Sequence, residues 1–126
     1  MHKYYKYQYR FNASHSFANQ KEHMHTFTVT IYVSKNEQAE QIMFFDIDKV
    51  VQTYLQRFEQ KYLNDMPEFA NCFPNVENIG DIFFEKVRVL LEDIGIILYQ
   101  LDIYENPLSV YQVSSRIHIP ACYVKD

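Results

Sequence analysis

Glycine is nearly missing from this chain, with two in 126 residues. No glycine-rich loop can cradle a phosphate, which excludes dinucleotide and P-loop fingerprints. Cysteine is equally scarce. Cys72 and Cys122 lie far apart with no C-x-x-C, so a reduced, cytoplasmic setting is expected rather than a disulfide framework. Basic runs are lacking too. The net charge is -4, with 12 basic against 16 acidic residues, and no nucleic-acid partner is expected. The longest apolar runs, such as Ile94 to Leu98, fall far short of the roughly 20 residues that span a membrane. The opening Met1-His2-Lys3-Tyr4-Tyr5-Lys6 lacks the apolar core of a signal peptide.

Apolar and aromatic residues are plentiful. The chain is 48% hydrophobic and 17% aromatic, with 11 Tyr and 10 Phe. That is too apolar for disorder and predicts one domain over 1–126. In so small a domain the aromatic surplus points to a subunit interface.

Tyr5, Tyr7, Tyr9, Phe11 and Ala13 alternate with Lys6, Gln8, Arg10, Asn12 and Ser14, the period of a half-buried strand. Phe27, Val29, Ile31 and Val33 repeat the pattern from near Met24, and the polar Ser16–Glu22 stretch between the two suggests a hairpin. The period then changes. Ile47, Val50, Val51, Tyr54, Leu55, Phe58 and Tyr62 predict a helix over about 48–61, with Asp46 or Asp48 as its cap. A second helix follows Pro74-Asn75, with Ile79, Ile82, Phe83, Val87, Leu90, Leu91 and Ile94 on one face and Gly95 as its C-terminal cap. Alternation resumes at Ile97, Tyr99, Leu101, Ile103 and Glu105, and a last strand over 108–119 follows Asn106-Pro107. The order β-β-α-α-β-β predicts an α+β fold, with two helices on one face of an antiparallel four-stranded sheet.

His15 continues the apolar face of the first strand, and His23 and His25 lie in register with that of the second. A hairpin brings all three to one end, since directly paired Cβ atoms stand about 4.5–5.5 Å apart. Two readings remain open. Three neutral imidazoles suit Zn²⁺ with a fourth position left for water or substrate; alternatively, they are three separately hydrogen-bonded histidines near a loop. Glu105 ends an apolar stripe. Either it is an exposed strand end, or it lines a pocket where a carboxylate can grip the guanidine-like edge of a pterin or guanine ring.

Six segments, in order, resemble one family. They are Phe11-Asn12-Ala13-Ser14-His15 for F-x-A-x-H, His23-Met24-His25 for H-G-H, Phe44-Phe45-Asp46 for D-F, Tyr62-Leu63-Asn64-Asp65 for L-N-D, Pro74-Asn75-Val76-Glu77-Asn78 for P-T-x-E-N, and Tyr104-Glu105-Asn106 for the late glutamate. The chain thereby resembles the 6-pyruvoyl-tetrahydropterin synthase and 6-carboxytetrahydropterin synthase group. The resemblance implies a tunnelling fold whose subunits close a barrel as a homotrimer, commonly stacked into a homohexamer. It implies zinc on His15, His23 and His25, a pterin anchored by Glu105 with Glu77 in the same pocket, and 7,8-dihydroneopterin triphosphate as substrate of a lyase-type reaction. In the bacterial branch the product feeds queuosine biosynthesis.

The chain departs from that pattern at the proton-transfer groups. The family's catalytic cysteine falls at Asn19 in one branch and Phe17 in another, and a glutamate variant falls at Gln20. The Asp-His pair before L-N becomes Glu59-Gln60, and the H-G-H glycine becomes Met24. Glutamine cannot relay a proton at neutral pH. Glu59 and Glu22 are the candidate replacement catalytic residues, with Cys72 behind them. Cys122 gains no role. Lys21 and Arg116 are candidate triphosphate contacts or ordinary surface charge, while His2 and His118 read as terminal and surface residues. Three functions follow: a zinc-dependent pterin synthase with rearranged acid-base groups, a non-catalytic paralogue binding zinc and a pterin or purine-like ligand, or a metal hydrolase.

Overall fold

The computed structural model describes residues 3–17, 20–35, 42 and 44–115. His2, Asn19, Arg116, His118 and Cys122 lie outside the described residues. The first two elements are the expected hairpin strands, β1 (Tyr5–His15) and β2 (His23–Lys35). Then come α1 (Phe44–Gln56), β3 (Lys61–Tyr62), two short helical turns (Leu63–Asp65 and Pro67–Phe69), α2 (Val76–Glu92), β4 (Ile96–Asn106) and β5 (Ser109–Ser114). The strands form one sheet in the order β3-β1-β2-β4-β5.

Period-2 patterning sets the hairpin register. Phe11 pairs with Phe27, Ala13 with His25 and His15 with His23, so the odd residues of both strands share one face. The two helices cover that face. Ile47, Val51, Tyr54 and Leu55 of α1 and Ile79, Phe83, Phe84, Val87 and Leu91 of α2 are buried there. An aromatic cluster joins the layers: Phe11 stacks on Phe27 at 5.1 Å, and Phe83 lies 5.6 Å from Phe11 and 4.9 Å from Phe58. Truncating a core phenylalanine such as Phe83 typically costs about 3–5 kcal/mol. Gly80 lets α2 approach the sheet, because a Cβ there would stand 2.8 Å from the Tyr111 ring and 3.0 Å from Ile103.

Four details differ from the sequence expectation. The sheet has a fifth strand, because the two-residue β3 pairs parallel to β1 at Ala13 and Ser14. The first helix is shifted toward the N-terminus. Asp46 lies inside its first turn, where negative charge suits the helix dipole. Gln60, at φ 61°, turns the chain so that its N–H reaches the carbonyl of Asn12 at 2.6 Å. Phe58 continues the apolar periodicity past the helix because this turn still presses it into the core. The second helix begins as expected, with the Asn75 side chain accepting from the Asn78 N–H at 2.7 Å. Its cap is Asp93, and Gly95 takes its φ of 80° in the turn that follows.

The fourth difference lies in β4. Ile96 and Leu98 are buried while Ile97 is 39% exposed, the reverse of the expected stripe. Val33 pairs with Leu98 while Tyr32 pairs with Gln100, so Tyr99 is an extra, bulged residue. A bulge reverses side-chain parity. Leu101, Ile103 and Glu105, beyond it, keep the expected face. The last strand is described only as far as Ser114, and 116–119 of the expected range lie outside the described residues.

Candidate functional site

His15, His23 and His25 meet where the β1–β2 hairpin closes. Their rings lie 4.6 Å (His15–His23), 5.2 Å (His15–His25) and 4.6 Å (His23–His25) apart, centre to centre. One nitrogen from each falls within 4.8 Å of the others, so the group could hold a metal ion. The hairpin supplies this by parity alone: three imidazoles on odd positions of two paired strands must share a face.

Backbone carbonyls orient two of the rings. His15 Nδ1 lies 2.7 Å from the Pro74 carbonyl, and His23 Nδ1 lies 3.1 Å from the Lys21 carbonyl. A carbonyl only accepts, so both Nδ1 atoms carry a proton, and in the neutral ring the lone pair then lies on Nε2. Metal-bound histidines are typically held in this way. The motif segments build the supports. Asn78 Nδ2 donates to the Phe73 carbonyl at 2.8 Å, fixing the chain beside Pro74. Asn64 accepts from the Ser16 N–H and donates to the Ser16 carbonyl, both at 2.9 Å, and Ser16 Oγ bonds the Tyr62 hydroxyl at 2.6 Å. These contacts secure the exit of β1 just past His15.

The electrostatics favour the neutral form of His25. Burial is the largest influence on His25 and pushes its pKa below the usual histidine value; Glu105 opposes it, and His15 and His23 add to it. Neutral imidazole is the form that binds metal. His15 is fully buried, and its Nε2 has no hydrogen-bond partner among the described residues. A buried polar atom left in that state is costly unless something else satisfies it. The site therefore fits a zinc-type ion on the evidence of its own atoms.

Glu105 reaches the same point. Its Oε2 stands 3.2 Å from Nε2 of His15 and 3.2 Å from Nε2 of His25. It also lines a cavity of about 400 Å³, together with Glu77, Val76, Asn106, Ser109 and Tyr111. The two carboxylates assigned to a pocket thus share one, and it adjoins the histidines through Glu105. Sequence reading missed Tyr111, whose hydroxyl donates to Asp81 at 2.8 Å, and the Pro74 carbonyl. Neither carries a signal in residue type; both depend on what the fold places beside them. A larger cavity of about 620 Å³ between α1 and α2, lined by Val50, Tyr54, Arg57, Glu68 and Leu90 among others, contains none of these residues.

The candidate catalytic residues lie apart from this convergence. Glu22 accepts a 2.6 Å hydrogen bond from Ser14 Oγ, on the even side of β1, away from His15. Glu59 accepts from the Asn12 N–H at 3.0 Å, from Asn12 Nδ2 at 3.2 Å and from Gln60 Nε2 at 3.2 Å. The Asn12 N–H holds its carboxyl below the usual range. Cys72 is exposed and lines a different cavity, with Asn64, Phe69 and Phe73. Phe17 packs near His15, ring centres 5.2 Å apart, while Met24, Gln20 and Lys21 are exposed.

No curated protein matches the chain by sequence. Among solved structures, the 6-pyruvoyl tetrahydropterin synthase of Caenorhabditis elegans superposes with a TM-score of 0.75 at 16% identity, covering 90% of this chain and 95% of that one. An uncharacterized protein of Wolinella succinogenes gives 0.65 at 13% identity, with 90% and 99% covered. The Plasmodium falciparum 6-pyruvoyl tetrahydropterin synthase gives 0.59 at 10% identity, with 89% and 98% covered. At such identities these likenesses establish a shared fold, the tunnelling fold. The sequence profile of one family matches residues 4–116, nearly all of the described chain, and on that match the chain belongs to the 6-pyruvoyl tetrahydropterin synthase family.

Proposed function

We propose that this protein binds zinc on His15, His23 and His25 and acts on 7,8-dihydroneopterin triphosphate or a related pterin held in the Glu77–Glu105 cavity. The observation that carries the reading is the junction of the two sites: Glu105 lines the cavity and stands 3.2 Å from two of the three histidines. Zinc, when bound, would polarise the side-chain oxygens of the pterin and acidify the neighbouring C–H bonds. The protein's own share is orientation. A carboxylate can accept two parallel hydrogen bonds from a guanidine-like ring edge, and Glu77 adds a second acceptor in the same cavity. The Pro74 and Lys21 carbonyls keep the Nε2 atoms of His15 and His23 aimed at the metal. The proposal includes a cytoplasmic protein assembled as a homotrimer or homohexamer, whose barrel would pair the sheet edges at β3 and β5.

The proton-transfer step favours a second reading. Glu22 and Glu59, the candidate bases, are engaged by Ser14 and Asn12, and acid-base groups each contribute about 10²–10⁴-fold to rate. In this reading the protein binds zinc and a pterin or purine-like ligand without turning it over. Product analysis separates the two. Zinc-loaded protein is incubated with 7,8-dihydroneopterin triphosphate and the pterins are resolved by mass. Released triphosphate with 6-carboxytetrahydropterin or another altered pterin establishes an enzyme; unchanged substrate with measurable pterin binding establishes a binding protein.

A further inference from the structure

We propose that the cavity between α1 and α2 is a second ligand site, separate from the histidines, for a small amphipathic anion: an aliphatic chain ending in a carboxylate.

Helix periodicity builds the apolar half of this site. Both helices lay their buried faces on the sheet, and the flanks of those faces border one trough. Ile82, Lys86 and Leu90 fall four residues apart on one side of α2, while Val50, Thr53, Tyr54 and Arg57 follow the i, i+3, i+4, i+7 spacing along α1 and its exit. All seven line the cavity of about 620 Å³. Val50, Ile82 and Leu90 are only partly buried, so the fold leaves apolar surface that a ligand would take out of water. The volume lies within the roughly 300–1,000 Å³ of small-molecule sites. From Ile82 to Leu90 the helix advances about 12 Å at a rise of about 1.5 Å per residue, which suits an extended chain.

Charge selects the head group. The lining holds two cations, Arg57 and Lys86, against one carboxylate, Glu68. Arg57 is ion-paired with Glu68, and its guanidinium carbon lies 5.2 Å from the centre of the Phe58 ring, so that pair is neutral and fixed. On its other side Lys86 borders a second cavity with Asp81 and Glu85, but both are engaged. Glu85 holds Arg88 at 2.9 Å, as Glu92 does, and Asp81 accepts from the Tyr111 hydroxyl at 2.8 Å. Lys86 makes no ion pair among the described residues. A chain of net charge -4 thus keeps one uncompensated ammonium beside half-covered apolar side chains. An aliphatic carboxylate complements both features, its chain covering Val50, Ile82 and Leu90 and its head meeting Lys86. A cation of the same shape meets like charge.

The probe is decanoate, titrated calorimetrically into the full-length protein, with decyltrimethylammonium as its cationic counterpart. Decanoate is expected to saturate one site per chain and to bind at least about tenfold more tightly than the cation. K86E, at an exposed position, should weaken decanoate by about tenfold or more. T53W, which brings an indole from an exposed position into the trough, should abolish binding. If T53W does not fold, K86E decides alone. Binding should be the same with zinc present or stripped by a chelator, because none of the lining residues belongs to the histidine group. Decanoate binding that vanishes with the zinc belongs to the histidines and overturns the proposal. An absence of saturable binding, equal affinity for the two probes, or unchanged affinity in K86E also overturns it. So does a wild type that ignores decanoate but forms an oligomer that T53W breaks in sedimentation, since the trough is then an interface between copies.

Discussion

Glu105 and Glu59 are both carboxylates near the hairpin, and the fold treats them in opposite ways. Glu59 sits at the turn after α1 with its oxygens engaged by the Asn12 N–H, the Asn12 side chain and Gln60. Glu105 ends an apolar stripe with Oε2 buried, without a hydrogen-bond partner among the described residues and 3.2 Å from the Nε2 atoms of two imidazoles. One corner is complete in itself and the other is not. Residue type does not separate a structural carboxylate from one placed beside a candidate site; its partners do, because a buried polar atom without a hydrogen bond carries a desolvation penalty.

The sharpest way to break this contrast is to remove an incomplete partner. H15A should weaken zinc binding by more than about 100-fold, beyond the loss typical of an outer-sphere partner. Metal content after dialysis against a chelator measures it, and full occupancy would dissolve the distinction between the corners. At the complete corner, E59A should cost about 1–2 kcal/mol in urea unfolding and leave zinc affinity unchanged. A loss of metal in E59A would join the two corners into one site.

Acidity sharpens the contrast further. The Asn12 N–H holds the folded Glu59 carboxyl below its ordinary range. Its contribution is therefore fully present above the unfolded value, near about 4.3, and is lost as pH falls through the lower folded value. The stability gap between wild type and E59Q should be constant near neutrality and close as the pH drops below about 4. Urea midpoints across that range test it, and a gap that persisted in strong acid would mean that something other than the charge is responsible. The smallest effect is expected at Gln60, whose φ of 61° is strained for a residue with a side chain. Q60G should gain about 0.5 kcal/mol, strain relief outweighing the added unfolded-state entropy. A loss of stability in the same unfolding assay would show that the Gln60–Glu59 hydrogen bond matters more than the backbone.

Much of this was legible in the residues. Alternation over 5–15 and 27–33 gave the hairpin its inward face, and with it the meeting of His15, His23 and His25. Six motifs in order pointed to the family. The end of α1 was not legible, because Phe58 belongs to the apolar face of a turn as readily as to that of a helix. The bulge at Tyr99 was not legible either. It left Leu101, Ile103 and Glu105 on their expected face while exchanging Ile97 for Ile96 and Leu98.

Alternation and helical periodicity arise from the backbone repeat, so the residues alone decided which side chains of the hairpin share a face and where the three histidines gather. Closure of the chain decided the rest. That Pro74 orients His15, that Asn12 occupies Glu59 and that Glu105 comes to stand 3.2 Å from two imidazoles are relations between segments distant in sequence. Hydrogen bonds form or fail within a few tenths of an ångström, and only the packed fold places distant atoms that closely.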